Sequence, residues 1–188
     1  MSLTKENQQI LLDLARKSIE NGYITGHPVS VDIHDYPPEL VVPRATFVTL
    51  EKNHQLRGCI GMLEAVLPLV EDVAENAFSA AYRDPRFPPV QKYEIPELDI
   101  SISILSEPEP MQFDSEQDLL RQIRPGIDGL ILQENVYKGT FLPSVWETLP
   151  DKQEFLRHLK VKAGLPANYW SDTVKVYRYT AEIIGKNE

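Results

Sequence analysis

The sequence predicts an α+β fold built from two similar units. Three observations carry that expectation. Stretches with apolar residues three and four apart alternate with stretches in which every second residue is apolar. The order helix, strand, strand, helix, strand occurs once in each half of the chain. Two of the strand pairs are joined by short polar turns and read as antiparallel hairpins. The residues of the two halves do not repeat, so the repeat is one of pattern. We read 1–188 as a single domain of two pseudo-repeat units, about 1–110 and 111–188, each of a β3α2 type.

The first helix runs from about Thr4 to Glu20, with Ile10, Leu11, Leu14, Ala15 and Ile19 on one stripe. Thr4 suits the N-cap and Asn21-Gly22 a stop. Residues 22–44 carry prolines and no period, and read as a functional flap or a draped arm. "ATFVTLEKNHQLRGCIGML" is a hairpin that turns at Lys52, Asn53 and His54. A helix follows from Pro68 to about Arg83, with Pro68 in its first turn and Glu71 and Asp72 at the positive end of the dipole. Asp84-Pro85 ends it, because the residue before proline resists the helical region. "LDISISILS" alternates as a half-buried strand, with Ile100, Ile102 and Ile104 on one face. In the second half, Ser115–Ile123 is a short helix. "GIDGLILQ" and "KGTFLP" are strands about the turn "ENVY". Asp151–Ala163 is a helix stopped by Gly164, and "DTVKVYRYTAEII" is a last strand.

Composition narrows the function classes. A net charge of -9 disfavours nucleic acid and anionic membrane surfaces as partners. The single cysteine excludes an intrachain disulfide, a Cys-rich zinc site and a cluster held by several cysteines. The polar start "MSLTKENQQ" is no signal peptide, and no run reaches the ~20 apolar residues of a membrane helix. The expected compartment is the cytoplasm. No phosphate-binding loop, dinucleotide fingerprint, nucleophile elbow or paired-histidine zinc motif occurs, so we expect no cofactor and no metal.

The chemistry-bearing stretch is "QLRGCIG" at 55–61. Strict alternation puts Arg57 and Cys59 on one face, with Leu56 and Ile60 on the core side. A guanidinium beside a thiol favours the thiolate, which makes Cys59 a candidate nucleophile and Arg57 its activator. Gly58 and Gly61 fit a bulge or the close approach of a ligand. The plainer reading is a cysteine packed as a small hydrophobe. His54 sits in the turn and points to solvent more readily than to Cys59. Asp84 and Arg86, fixed by prolines in "YRDPRFPPV", are candidate binding residues, or else an ion pair that serves structure. Glu64 after the strand, Asp128 in "GIDGL" and Lys138 in the second hairpin are further candidate binding groups. Their plain readings are an exposed carboxylate, turn chemistry and a solvated hairpin lysine.

"LRGCIG" resembles the hallmark hexapeptide of the AMME syndrome chromosomal region protein family. "FVTLEKNHQLRGCIG", "NAFSAAYRDPRFPPV", "LDISISILSEPEP", "GIDGLILQ", "GTFLPSVW" and "LKVKAGLPANYW" are similar to family blocks in the family's order, over nearly the whole chain. The resemblance implies two units sharing a barrel-like, mainly antiparallel sheet, with a cleft near the LRGCIG strand. It implies no assigned reaction. Prokaryotic members are associated with a Memo-like protein and a radical SAM enzyme. One cysteine cannot hold that enzyme's three-cysteine cluster, so this chain would be a partner or a downstream enzyme. The expected function is a small-molecule or anionic-ligand site, or a thiol-based enzymatic site, at the hexapeptide. The alternative is a binding or protein-interaction module in which the hexapeptide is structural.

Overall fold

The protein is described by a computed structural model over residues 2–186. Its contacts separate two compact units, one of residues up to 105 together with those from 182 on, the other of residues 106–181.

In the first unit, α1 (Lys5–Thr25) begins as expected, with Thr4 accepting the Asn7 N–H at 3.2 Å. It does not stop at Asn21-Gly22. It ends at Gly26, in the left-handed conformation that glycine adopts without strain. Gly22 is buried in the helix, where a Cβ would stand 2.5 Å from the Phe78 ring and 2.6 Å from that of Tyr82. That glycine marks a close crossing of two helices, not an end. The arm that follows is draped on the core: it forms two single 3₁₀ turns, buries Leu40, and packs Val29, Val31 and Tyr36.

Strands β1 (Thr46–Lys52) and β2 (Gln55–Gly61) form the first hairpin. Asn53 and His54 both have positive φ, the two-residue turn whose twist matches the strands. Helix α2 (Leu69–Tyr82) and strand β3 (Asp99–Leu105) follow, and β3 buries Ile100, Ile102 and Ile104. The core of this unit joins Leu11, Ala15 and Ile19 to Val70, Val73 and Ala77, and to Val48, Leu50 and Ile102.

The second unit holds β4 (Glu109–Pro110), α3 (Glu116–Gln122), β5 (Gly129–Glu134), β6 (Tyr137–Phe141), α4 (Lys152–Ala163) and β7 (Lys175–Tyr179). Ser115 and Asp151 cap α3 and α4, and Gly164 ends α4 at positive φ. Trp146 stacks on Phe155, ring centroids 3.7 Å apart, at the centre of its core.

The expected last strand is two strands. β7 joins the sheet ordered β4-β7-β5-β6, and β8 (Ala181–Ile184) joins the sheet ordered β2-β1-β3-β8. Thr180 makes the break: its N–H donates to the Ser106 Oγ and its carbonyl accepts the Ser106 N–H, both at 2.8 Å. The fold is therefore α+β with two four-stranded antiparallel sheets, not one shared sheet, and neither closes into a barrel. No helix among the described residues is long and apolar enough to cross a membrane.

Candidate functional site

The two-residue turn sets the register of the first hairpin. Lys52 pairs with Gln55 and Glu51 with Leu56. Continued in step, that register would put Cys59 opposite the buried Val48. Instead the pairing shifts after Glu51, so that Leu50 faces Gly58 and Thr49 faces Cys59. Arg57 is the extra residue of a β-bulge. Thr49 lies between buried Val48 and Leu50 and points away from the helices, so Cys59 does too.

The bulge overturns half of the expected alternation. Ile60 stays on the core side, but Leu56 is 42% exposed. Arg57 is drawn to the 91–97 segment. Its Nε donates to Glu94 Oε1 at 3.1 Å and its second terminal nitrogen to Glu94 Oε2 at 3.0 Å. Lys52 adds a 3.4 Å contact to the same carboxylate. The Arg57 hydrogen bonds hold the Glu94 carboxyl down at about 2, against the cost of its burial. The remaining Arg57 nitrogen, Nη1, is buried without a hydrogen-bond partner. The charge of Arg57 is thus engaged by Glu94.

Both glycines of the hexapeptide answer to packing. A Cβ on Gly58 would stand 2.1 Å from the Ala80 carbonyl oxygen of α2, and one on Gly61 would stand 2.3 Å from the Thr46 carbonyl oxygen.

Cys59 itself is half-buried, with Sγ 3.2 Å from Thr49 Oγ1. Strand β2 is at the edge of its sheet, and the outward backbone groups of Cys59 are taken by side chains. Its N–H donates to Asp84 Oδ2 at 3.0 Å, and its carbonyl accepts from Arg86 at 3.2 Å. Arg86 also donates to both oxygens of Asp84, at 3.0 and 2.7 Å. These bonds hold the Asp84 carboxyl well below the usual carboxylate range, although it is buried. Across the sheet Thr49 pairs with Ser101, so a thiol and two hydroxyls form one row on the face opposite the helices.

The structure thus brings together Cys59, Asp84 and Arg86, and assigns packing to Gly58 and Gly61. Glu64 is exposed in the loop after β2, and His54 is exposed at the turn. Asp128 and Lys138 belong to the second unit. Asp128 is fully buried and accepts three bonds from Arg124, and its carbonyl accepts the Trp146 indole N–H at 2.7 Å. Lys138 is exposed on β6 opposite Gln133. Surface cavities of about 320, 300 and 280 Å³ are lined by residues outside the hexapeptide. No group of three or more metal-ligating side chains occurs among the described residues.

Glu94 and Thr49 escaped sequence reasoning. No motif marks Glu94, and Thr49 becomes the partner of the thiol only through the bulge. A buried trio in the same unit also went unread. Thr46 Oγ1 donates to Asp72 Oδ2 at 2.6 Å, and Asn76 Nδ2 donates to the same oxygen at 2.9 Å. Burial raises the Asp72 carboxyl to about 6 in spite of these bonds. The signal was available: Asp72 and Asn76 lie four apart within an apolar stripe.

A family profile described as AMMECR1 matches residues 12–184. Protein MJ0810 of Methanocaldococcus jannaschii is 39% identical over 194 residues, covering 99% of this chain and 93% of its own. A protein of Thermococcus gammatolerans is 43% identical over 184 residues, covering 93% and 88%. The crystal structure of Uncharacterized Protein PH0010 from Pyrococcus horikoshii superposes with a TM-score of 0.89 at 39% identity, covering 96% of this chain and 92% of that one.

Proposed function

The chain belongs to the AMMECR1 family, and from that premise we propose that it handles a small molecule at the LRGCIG strand, with Cys59 as a thiol nucleophile. One observation carries the reading: both outward backbone groups of Cys59 are pinned, while its sulfur lies 3.2 Å from the Thr49 hydroxyl. A pinned backbone fixes where the sulfur stands, which is the positioning a nucleophile needs. Thr49 is the hydrogen-bonding neighbour of the thiol. Arg86, 55% exposed, offers a cation at the rim for an anionic group of the ligand, and Arg57 acts on position through Glu94. In a system with a Memo-like protein and a radical SAM enzyme, which the family resemblance suggests, this chain is a partner or a downstream enzyme.

A second reading has its own support. Gly58, Gly61, Arg57 and Asp84 each have a packing or pairing role, which suits a binding module with a structural hexapeptide. The rate of alkylation of Cys59 against pH, followed by intact mass, separates the two. The nucleophile reading expects modification of the native protein, at a rate altered in Thr49→Val. Modification only after unfolding would sink that reading and leave the binding module.

A further inference from the structure

The most unusual side chain outside the hexapeptide region is Lys160 on α4. It is 2% exposed, and among the described residues its ammonium has a single hydrogen-bond partner, Glu116 Oε1 at 2.6 Å. The Trp170 ring centroid lies 5.7 Å away. An ammonium carries three donors. Burying a charge is costly, and an ion pair in such a place is weak evidence for stability, because an apolar pair often does as well. The partners are also unequal, since the Glu116 side chain is 33% exposed while that of Lys160 is 2% exposed.

Lys160 lies in the wall of the 320 Å³ cavity between α3, α4 and residues 167–168. That volume is in the range of small-ligand sites. The other polar lining groups are Arg157, Gln117, Gln153 and Asn168, with Leu120 and Ala167 as apolar floor. Arg157 is 58% exposed and, among the described residues, held by a 3.8 Å contact to Glu154. Among the lining residues, two cations stand against the one carboxylate Glu116, with Glu154 3.8 Å from Arg157 outside the lining. Each amide both donates and accepts, which suits hydroxyl groups.

We propose that this cavity binds a monoanionic hydroxy acid, its carboxylate between Lys160 and Arg157 and its hydroxyls on the three amides. Lys160 already holds a carboxylate, that of Glu116, at 2.6 Å. The neighbouring Glu116 disfavours a dianion such as phosphate. The site lies within the second unit and does not depend on the chemistry of Cys59.

The test is titration of the full ¹⁵N-labelled chain with glycerate and with gluconate at constant ionic strength, against sodium chloride and inorganic phosphate. Saturable shifts are expected at the side-chain amides of Gln117, Gln153 and Asn168 and at the Lys160 backbone, with a Kd at or below about 1 mM for one of the two acids. Arg157→Gln, at an exposed position, is expected to weaken binding by about fivefold or more. Lys160→Met is expected to abolish it wherever that variant still folds. Shifts that follow the chloride control, phosphate binding tighter than both acids, or affinity unchanged in Arg157→Gln would each overturn the proposal.

Discussion

Asp84 holds Cys59 from outside its sheet: Oδ2 accepts the Cys59 N–H at 3.0 Å, and Arg86, bonded to the same carboxylate, donates to the Cys59 carbonyl at 3.2 Å. A carboxylate and a guanidinium thus stand where the carbonyl and N–H of another strand would be. They satisfy one residue of an exposed edge and leave no template for a further strand there.

Replacing Asp84 by alanine removes that clip and strands the Cys59 N–H. The expected cost is about 1–3 kcal/mol of stability. Hydrogen exchange at the Cys59 amide should speed up strongly, while the paired amides of β1 keep their protection. Unchanged protection at Cys59 would show that the clip does not hold the edge.

Half-buried Arg57 pairs with buried Glu94, so removing one partner should cost more than removing both. Arg57→Met is expected to destabilise by about 3–5 kcal/mol, and Arg57→Met with Glu94→Leu by clearly less. The pair also sets an acid limit. The Glu94 carboxyl sits at about 2 against an ordinary 4.5, so its contribution is present above 4.5 and is lost as pH falls toward 2. Glu94→Gln should lack that part of the acid slope. Both Trp residues lie in the second unit, so far-UV circular dichroism, not Trp fluorescence, is the readout for these variants.

Asp72 works in the opposite direction. Its carboxyl is raised to about 6 from 3.8, so the native state holds a proton that the unfolded chain releases between those values. Stability tied to Asp72 is fully present below about 3.8 and is lost as pH rises through about 6. Asp72→Asn keeps an acceptor for Thr46 and Asn76 without the charge. At pH 7 it should be the more stable protein, by up to about 3 kcal/mol. Urea midpoints from pH 4 to 8 check this: the advantage of the variant must grow up to about pH 6 and then level off, and a constant difference refutes it.

Gly58 has no room for a methyl group, since the Ala80 carbonyl oxygen would stand 2.1 Å from it. Gly58→Ala must push α2 away from β2 and is expected to cost about 2 kcal/mol or more. Denaturant unfolding measures it. A neutral Gly58→Ala would mean that the helix yields, and that the glycine serves something other than packing.

Several elements were legible because their causes are local. Thr4, Ser115 and Asp151 each cap the helix they precede, through a bond to an N–H three residues on. The alternation of "LDISISILS" buries Ile100, Ile102 and Ile104 as read. Other readings failed where the cause came from far along the chain. Gly22 reads as a stop until the rings of Phe78 and Tyr82 are brought against it. The last strand reads as one until Ser106, 74 residues away, takes both backbone groups of Thr180.

The sequence by itself determined the α+β class, the order of the helices and of the longer strands up to the last, the hairpin turning at Lys52, Asn53 and His54, and the family, and it pointed to Asp84 and Arg86 as neighbours. Periodicity, capping and turn chemistry act over a few residues and are written in them. Only the tertiary structure decided what Cys59 faces. The hairpin turn alone would place Cys59 opposite Val48, in the core. The bulge at Arg57 turns it to Thr49 on the other face. The contacts that accompany this bulge are distant ones: the Ala80 carbonyl fills the space beside Gly58, and Glu94, 37 residues on, holds Arg57. A one-residue change of register reverses every side chain beyond it; Gly58 and Gly61 fit a bulge, but which residue it falls on is set by these distant contacts.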